Sequence, residues 1–402
     1  MTPSPAAVTA APPRFAQRVW AFFAGYFVLG GILVPFFPVW LDARGLSDVE
    51  IGIIVAAPTL VRVAFTPFAG MFADRAPSRR FAAIVFTVVA ALIFPFAYPA
   101  TTYWPILITT CAAFTIWGLA LPVVEALALT GVRRFGLDYG RMRLGGSLSY
   151  IVANLGAGAL LSVFHADAIF WLIAGALALS AAVSFALPVT PKAVRAADDA
   201  ARPVPKPFRF LLAHPAFLTL IVVGGLIQAS HAVLYSFGSI YWHKLGFDGL
   251  DIGFFWAVGV GCEILVFLWS RPLVRTFGPF GLLVLGGAFA VLRWIFMAAE
   301  PGFIGFTLLQ ALHAFTFGAA YLGNQHAIAR AVPEEATASA QGLFAMVTGI
   351  LMAATQMLSG PLYEALGADA FLVMAPIPAV ALVILAVYRR RVADADRSAS
   401  AP

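Results

Sequence analysis

Four fully charged residues stand inside long apolar runs of this chain: Arg62, Glu125, Glu263 and Arg293. A lone charge in hydrocarbon costs at least roughly 2.5–3.5 kcal/mol, so each must face a partner or a polar cavity. A guanidinium is a planar, permanently charged fork that matches a carboxylate, which suits Arg62 to hold an anionic group of a ligand. A carboxyl group exchanges its proton as its surroundings alternate between apolar and cation-lined, which suits Glu263 to carry a proton, with His313 and Arg293 as modulators. Polar side chains recur beside these charges at helical spacing: Gln310, His313, Phe317, Tyr321 and Asn324 form one stripe, and Gln228, His231 and Tyr235 another. Both stripes read as cavity lining. The competing reading at each position is structural, a buried pair or histidine that only locks helix packing.

The elements that must position these groups follow from composition. Of 402 residues, 61% are hydrophobic and 11% charged, against roughly a quarter charged in soluble globular chains. Apolar runs of about 20 residues, each long enough to cross a hydrocarbon layer as a helix, recur along the chain. They fall at 19–41, 49–72, 81–98, 104–130, 144–164 and 168–188, then at 215–241, 250–270, 279–299, 303–329, 338–361 and 369–388. No sustained alternation supports a transmembrane barrel. The expected fold is an all-α membrane protein of about twelve transmembrane helices in two pseudo-symmetric six-helix bundles. Its divisions are a tail (1–18), the first bundle (19–188), a linker (189–214), the second bundle (215–388) and a second tail (389–402). The linker is marked by its prolines, Asp198, Asp199 and the cations Lys192, Arg195, Arg202, Lys206 and Arg209.

Charge sets the orientation. The net charge is +6, and 21 of the 25 Lys/Arg lie on one side when loops are numbered from the N-terminus. Arg44 and Lys244 alone lie on the other, with Arg62 and Arg293 inside spans. By the positive-inside rule both termini are cytoplasmic in a multi-pass inner-membrane protein, so the basic balance reports topology and no nucleic-acid partner. No cleavable signal peptide is expected, because the run after Arg18 is too long for one. Cys111 and Cys262 both lie in apolar spans and read as small core residues.

The chain also repeats itself. Gly45-Leu-Ser-Asp-Val-Glu-Ile-Gly52 is similar to Gly246-Phe-Asp-Gly-Leu-Asp-Ile-Gly253 at an offset of 201 residues, the same offset that separates Arg62 from Glu263. Parallel repeats place a binding site near the membrane midplane between the halves. After the second span, Gly70-Met-Phe-Ala-Asp74-Arg75-Ala-Pro-Ser-Arg79-Arg80 resembles the signature loop of the major facilitator superfamily, with Pro77 in place of the usual glycine. That resemblance implies a cytoplasmic conformational latch of Gly70, Asp74, Arg75, Arg79 and Arg80.

A broader resemblance, to the lactose permease-like symporters and especially their phenylpropionate permease branch, covers most of the chain. Val124-Glu125-Ala126, Tyr139-Gly-Arg-Met-Arg143 and Gly146 are similar to the segment in which the lactose permease holds sugar, which implies that Glu125 and Arg143 bind substrate and that Tyr150 stacks on it. Val291-Leu-Arg293 and Leu312-His313-Ala-Phe315 match a functional arginine and histidine. Thr316 stands where the lactose permease has its proton-releasing glutamate, and Gln310 replaces a lysine, so proton coupling cannot be copied across. Gln228-Ala-Ser-His231, Gly238-Ser-Ile-Tyr-Trp242, Leu137-Asp-Tyr-Gly140 and Cys262-Glu263 are closer to the phenylpropionate branch.

The expected function is a proton-coupled symporter that imports a small organic solute, an aromatic acid of the phenylpropionate type, by alternating access. A symporter of a sugar, oligosaccharide or nucleoside is the first alternative and an efflux carrier of drugs or metabolites the second. The expected partners are a small-molecule substrate, protons and the lipid bilayer; oligomeric state leaves no signal. There is no phosphate-cradling loop and no Cys/His set with metal spacing, so no cofactor, metal or ATP-driven pump is expected. An enzyme would have to use the isolated His231, His313 and His326, which supply no reaction.

Overall fold

A computed structural model of the chain describes residues 11–189, 211–332 and 336–399. The expectations for most of the linker and for the outermost tail residues fall outside these ranges. Among the described residues the architecture is helical throughout: α1 (Phe15–Ala43), α2 (Asp48–Arg75), α3 (Arg79–Ile93, continued by a 3-10 turn at Phe94–Ala97), α4 (Tyr103–Phe135), α5 (Tyr139–Leu161) and α6 (Asp167–Ser184). There follow α7 (Pro215–Lys244), α8 (Gly249–Leu268), α9 (Ser270–Met297), α10 (Gly302–Ala331), α11 (Thr337–Leu366) and α12 (Pro376–Ala399). Eleven continuous helical stretches are long and apolar enough to cross a membrane, and the last of them, Ser339–Arg389, has 51 residues. At 1.5 Å per residue that is about two and a half times a bilayer core. Gly367, at φ +55°, ends α11 inside it, so the stretch supplies two crossings and the total is twelve.

The helix boundaries have local causes. Ser78 caps α3 by accepting from the Phe81 N–H (3.1 Å), and Asp138 caps α5 by accepting from the Arg141 N–H (3.1 Å). The helical start at Tyr139 places Arg143 inside a helix, where hydropathy began the span one residue after it. Pro215 opens α7 behind His214, whose ring nitrogen accepts from the Phe217 N–H (3.3 Å).

The internal repeat turns out to be a stop-and-restart device. Gly45 (φ +76°) and Gly246 (φ +90°) take the left-handed conformation just after the preceding helix ends. Ser47 and Glu50 then form a reciprocal capping box at the head of α2 (2.9 and 3.3 Å), and Asp248 accepts from the Asp251 N–H (2.9 Å) at the head of α8. The last residue of each copy is a close-approach glycine.

By backbone contacts the chain divides into two compact units. One comprises Met1–Leu46, Val61–Val194 and Asp248–Gly253; the other comprises Ser47–Leu60, Arg195–Phe247 and Phe254–Pro402. Each unit therefore contains the head of a helix, α2 or α8, whose body is counted in the other. In the first unit Gly253 sits on α5, where a Cβ would lie 3.0 Å from the Asn154 carbonyl oxygen. In the second unit Gly52 sits on α11, where a Cβ would lie 3.0 Å from both the Gln356 carbonyl oxygen and the Gly360 nitrogen. Small residues let membrane helices approach this closely where no hydrophobic force drives them together.

The first unit is held mainly by α1 packing along α5 and α6. Gly31 shows how tightly: a Cβ there would lie 3.1 Å from the Tyr150 carbonyl carbon and 3.2 Å from the Ala153 Cβ. Gly31→Val must push two backbones apart, and the expected cost is about 1–3 kcal/mol. Gly175, with open space around its α-carbon, is the control, since Ala there is expected to be neutral or to gain up to about 1 kcal/mol from helix propensity. Thermal melting in detergent micelles should separate the two variants. Equal melting temperatures would show that α1 and α5 are not in fixed contact.

Candidate functional site

In the first unit the charged groups gather around an aromatic pair. Arg62 on α2 lies flat against α4 at Gly118, where a Cβ would come within 2.7 Å of the arginine Cδ and 2.9 Å of Nη1. A side chain at this position would have to displace that guanidinium from where it lies. Tyr26 on α1 stacks on Trp117, the residue before Gly118, with ring centroids 4.1 Å apart and planes 9° from parallel. Arg62, Glu125 and Arg143 all lie within Coulombic range of Tyr26. Trp117 is 8% exposed, and its indole N–H is buried with no partner among the described residues.

Glu125 on α4 and Arg143 on α5 interact through space. Yet no ion pair within 4.0 Å joins them among the described residues. Arg143 instead covers the Phe27 ring, with Cζ 3.9 Å from its centroid, and Phe23 at 5.3 Å. The Tyr150 ring edge lies against α1, 3.4 Å from where a Gly30 Cβ would be. Sequence reasoning named Arg62, Glu125, Arg143 and Tyr150, and missed Tyr26 and Trp117. An aromatic in an apolar span reads as packing; the glycine after Trp117 was the one local signal of something crossing close by.

In the second unit a continuous hydrogen-bonded network is centred on Arg293 of α9, which is fully buried. Its Nη1 donates to Thr316 Oγ1 (3.0 Å) and to His313 Nδ1 (3.2 Å), and its Nη2 donates to Gln310 Oε1. His231 places Nδ1 against the Ile227 and Gln228 carbonyls (3.1 and 3.2 Å) and Nε2 against Thr316 Oγ1 (3.0 Å). Two carbonyls require an N–H, so the His231 proton is on Nδ1 and Thr316 donates to Nε2. Since Arg293 can only donate, His313 Nδ1 accepts and its Nε2–H points at Glu263 Oε2, 3.6 Å away. A carboxylate on α8 is thereby linked through His313 and Arg293 to Thr316 and His231. Rings enclose the set: His231 meets Trp294 edge-on (4.9 Å) and stacks over Tyr235 (5.7 Å), while His313 stacks on Phe317 (5.1 Å).

Two helix irregularities build this network. α7 breaks into Pro215–Ala229 and Ala232–Lys244, with a turn at Ser230 and His231. α10 widens into a π-helix at Ala314–Ala319, the turn that carries Thr316. At the α7 break the His231 ring takes the Ile227 and Gln228 carbonyls, and the α10 widening carries Thr316 between Arg293 and His231. Hydropathy sees neither.

Several named residues stand apart from these clusters. Asn324 is fully buried against Gly224 of α7, about 10 Å along that helix from His231 at 1.5 Å per residue. Tyr321 is 38% exposed. In the loop after α2, Arg79 donates to the Ala126 carbonyl (3.2 Å) and to Thr130 Oγ1 (2.7 Å) on α4, tying the start of α3 to that helix. Asp74 and Arg75 are exposed at the end of α2, and Gly70 has open space around it. The two cysteines are free and half-buried, and no group of three potential metal ligands forms among the described residues.

Among the described residues, twelve apolar helices with half-buried charges clustered in the first unit and a buried charged network in the second are the build of a multi-pass membrane carrier, because bilayer-depth charge is retained where a solute or ion must be handled. The sequence profile described as the MFS_1 like family matches residues 18–373, and the chain belongs to that family. It is 28% identical over 365 residues to the "Probable 3-phenylpropionic acid transporter" of Escherichia coli (strain K12), covering 89% of this chain and 94% of that protein. It is 23% identical over 381 residues to the lactose permease of Citrobacter freundii, covering 89% and 90% of the two chains. The major facilitator resemblance read from the motifs therefore holds. Among solved structures, a point mutant of the nucleoside transporter NupG superposes with a TM-score of 0.80 at 16% identity, covering 92% of this chain and 99% of that one, which shows the shared fold.

Proposed function

We propose that the protein is a proton-coupled symporter that imports an aromatic monocarboxylate of the phenylpropionate type by alternating access, from an inner membrane with both termini in the cytoplasm. The observation that carries the substrate class is Arg62 lying on Gly118 beside the Tyr26–Trp117 stack. A guanidinium beside an aromatic pair offers both halves of such a solute a partner: a fork for the carboxylate and apolar surface for the ring. The unpaired indole N–H of Trp117 supplies a further donor. Coupling rests on Glu263, which His313 and Arg293 join to the buried network of the second unit. The E. coli relative supports the same substrate class by its name. The topology rests on the Lys/Arg asymmetry.

A second reading, a sugar or nucleoside symporter, is favoured by Glu125 and Arg143, which sense each other without closing an ion pair and so keep hydrogen-bonding capacity for a neutral polyol. The deciding measurement is the initial rate of uptake of labelled 3-phenylpropionate and of lactose into proteoliposomes, with and without an inward proton gradient. Protein-free vesicles set the background, because the protonated acid crosses lipid unaided. Gradient-stimulated uptake of the acid alone is the expected result. Lactose alone would select the second reading, and neither would refute both substrate assignments.

A further inference from the structure

At the ends of α8, α9 and α10 that carry the excess of arginines, the second unit has an open cavity of about 580 Å³ lined by Ser270, Arg271, Arg275, Gly278, His326 and Arg330, with Val274. Among the described residues no carboxylate lines it. Arg271 and Arg275 are four residues apart in one helical stretch, and His326 and Arg330 repeat that spacing on α10. Side chains at this spacing are neighbours on a helix surface, and like charges so placed, as those of Arg271 and Arg275 are, destabilise an isolated helix. Among the described residues none of the four joins an ion pair. The positive-inside rule asks for cations on this side of the membrane, but it does not ask that two basic pairs from two helices converge on one space.

Two further features say what fills it. Gly278, at φ +64°, interrupts α9 at the cavity wall, and the helix restarts at Pro279. The N-terminus of the restarted helix adds partial positive charge at the same place. Beside the cavity the surface is apolar and open: Leu268 is 73% exposed, Trp269 59% and Phe277 47%. A tryptophan next to a cationic cleft at a helix end is the usual signature of the headgroup level of a bilayer.

We propose that this cavity is a binding site for an anionic phospholipid, whose phosphate sits among Arg271, Arg275, His326 and Arg330 while its acyl chains run along Leu268, Trp269 and Phe277. Arginine forks match phosphate oxygens, and basic pockets between membrane helices select anionic headgroups over zwitterionic ones. The site is independent of the transported solute.

Native mass spectrometry of the full chain tests it, with phosphatidylglycerol or phosphatidylcholine added to the detergent-solubilised protein. Phosphatidylglycerol should bind selectively. In the triple variant Arg271→Gln, Arg275→Gln, Arg330→Gln its affinity should fall about a hundredfold, near fivefold for each cation lost at a membrane surface. The matching triple Lys variant should stay within about tenfold of wild type, since it keeps the charge and loses the fork. These arginines are exposed, so melting temperatures should match wild type and separate lost binding from lost folding. Equal phosphatidylglycerol binding by the Gln variant would overturn the site. Displacement of the lipid by low millimolar inorganic phosphate would also overturn the lipid assignment, making this a site for a soluble anion.

Discussion

Glu263→Gln should abolish the stimulation of uptake by an inward proton gradient and leave counterflow, which exchanges labelled for unlabelled solute without net proton movement, within about threefold of wild type. Glutamine has the shape of the acid and keeps a carbonyl oxygen facing the His313 Nε2–H, as Glu263 Oε2 now does at 3.6 Å. Packing against Gly318, whose Cβ position is 3.3 Å from the Glu263 Cγ, is likewise kept. What glutamine cannot do is take up and release a proton. The gradient-driven component of the initial rate should drop at least about tenfold, equivalent to about 1.4 kcal/mol of lost coupling. Wild-type stimulation in the variant would remove Glu263 from the coupling machinery. Loss of counterflow as well would assign it to solute binding.

Arg62→Gln should be the most damaging substitution for an acid substrate. Removing one partner of a hydrogen-bonded charge pair costs roughly 2–5 kcal/mol, so half-saturation should move by at least about thirtyfold in both uptake and counterflow. Arg62→Lys should recover part of the loss, since it restores charge without the planar fork. Gly118→Val tests the geometry while leaving the charge in place, because a side chain there occupies the space now filled by the Arg62 Cδ and Nη1. It should impair the acid as Arg62→Gln does. The Gln variant should melt no lower than wild type, because removing a charge from bilayer depth relieves a penalty. If the acid is transported normally by Arg62→Gln, the carboxylate is held elsewhere.

The two substitutions also differ in what they disturb. Arg62 rests on a backbone and an aromatic neighbour, so its loss is local. Glu263 is one end of a chain of donors and acceptors that continues through His313, Arg293, Thr316 and His231. That chain recasts two departures from the lactose permease pattern. Gln310 accepts from Arg293, and Thr316 accepts from Arg293 while donating to His231, so both replacements join one network, in which Arg293 Nε and Gln310 Nε2 stay buried without a partner among the described residues.

The sequence by itself determined the membrane class, the twelve crossings and the family, because hydropathy over about 20 residues and Lys/Arg asymmetry are properties of composition along the chain. It also exposed the four charges at bilayer depth and the repeat that begins at Gly45 and Gly246, since each is rare against an apolar background. Tertiary structure alone decided which groups meet. Tyr26 and Trp117 lie 91 residues apart and became neighbours of Arg62 through the packing of α1, α2 and α4. Thr316 and His231 lie 85 apart and meet at a π-turn and a helix break that no hydropathy window registers. The physical reason is that spans are selected by transfer from water to lipid, a sum over residues. Partners inside the bundle are selected by hydrogen-bond and steric complementarity between particular atoms, and that information exists only once the helices have packed.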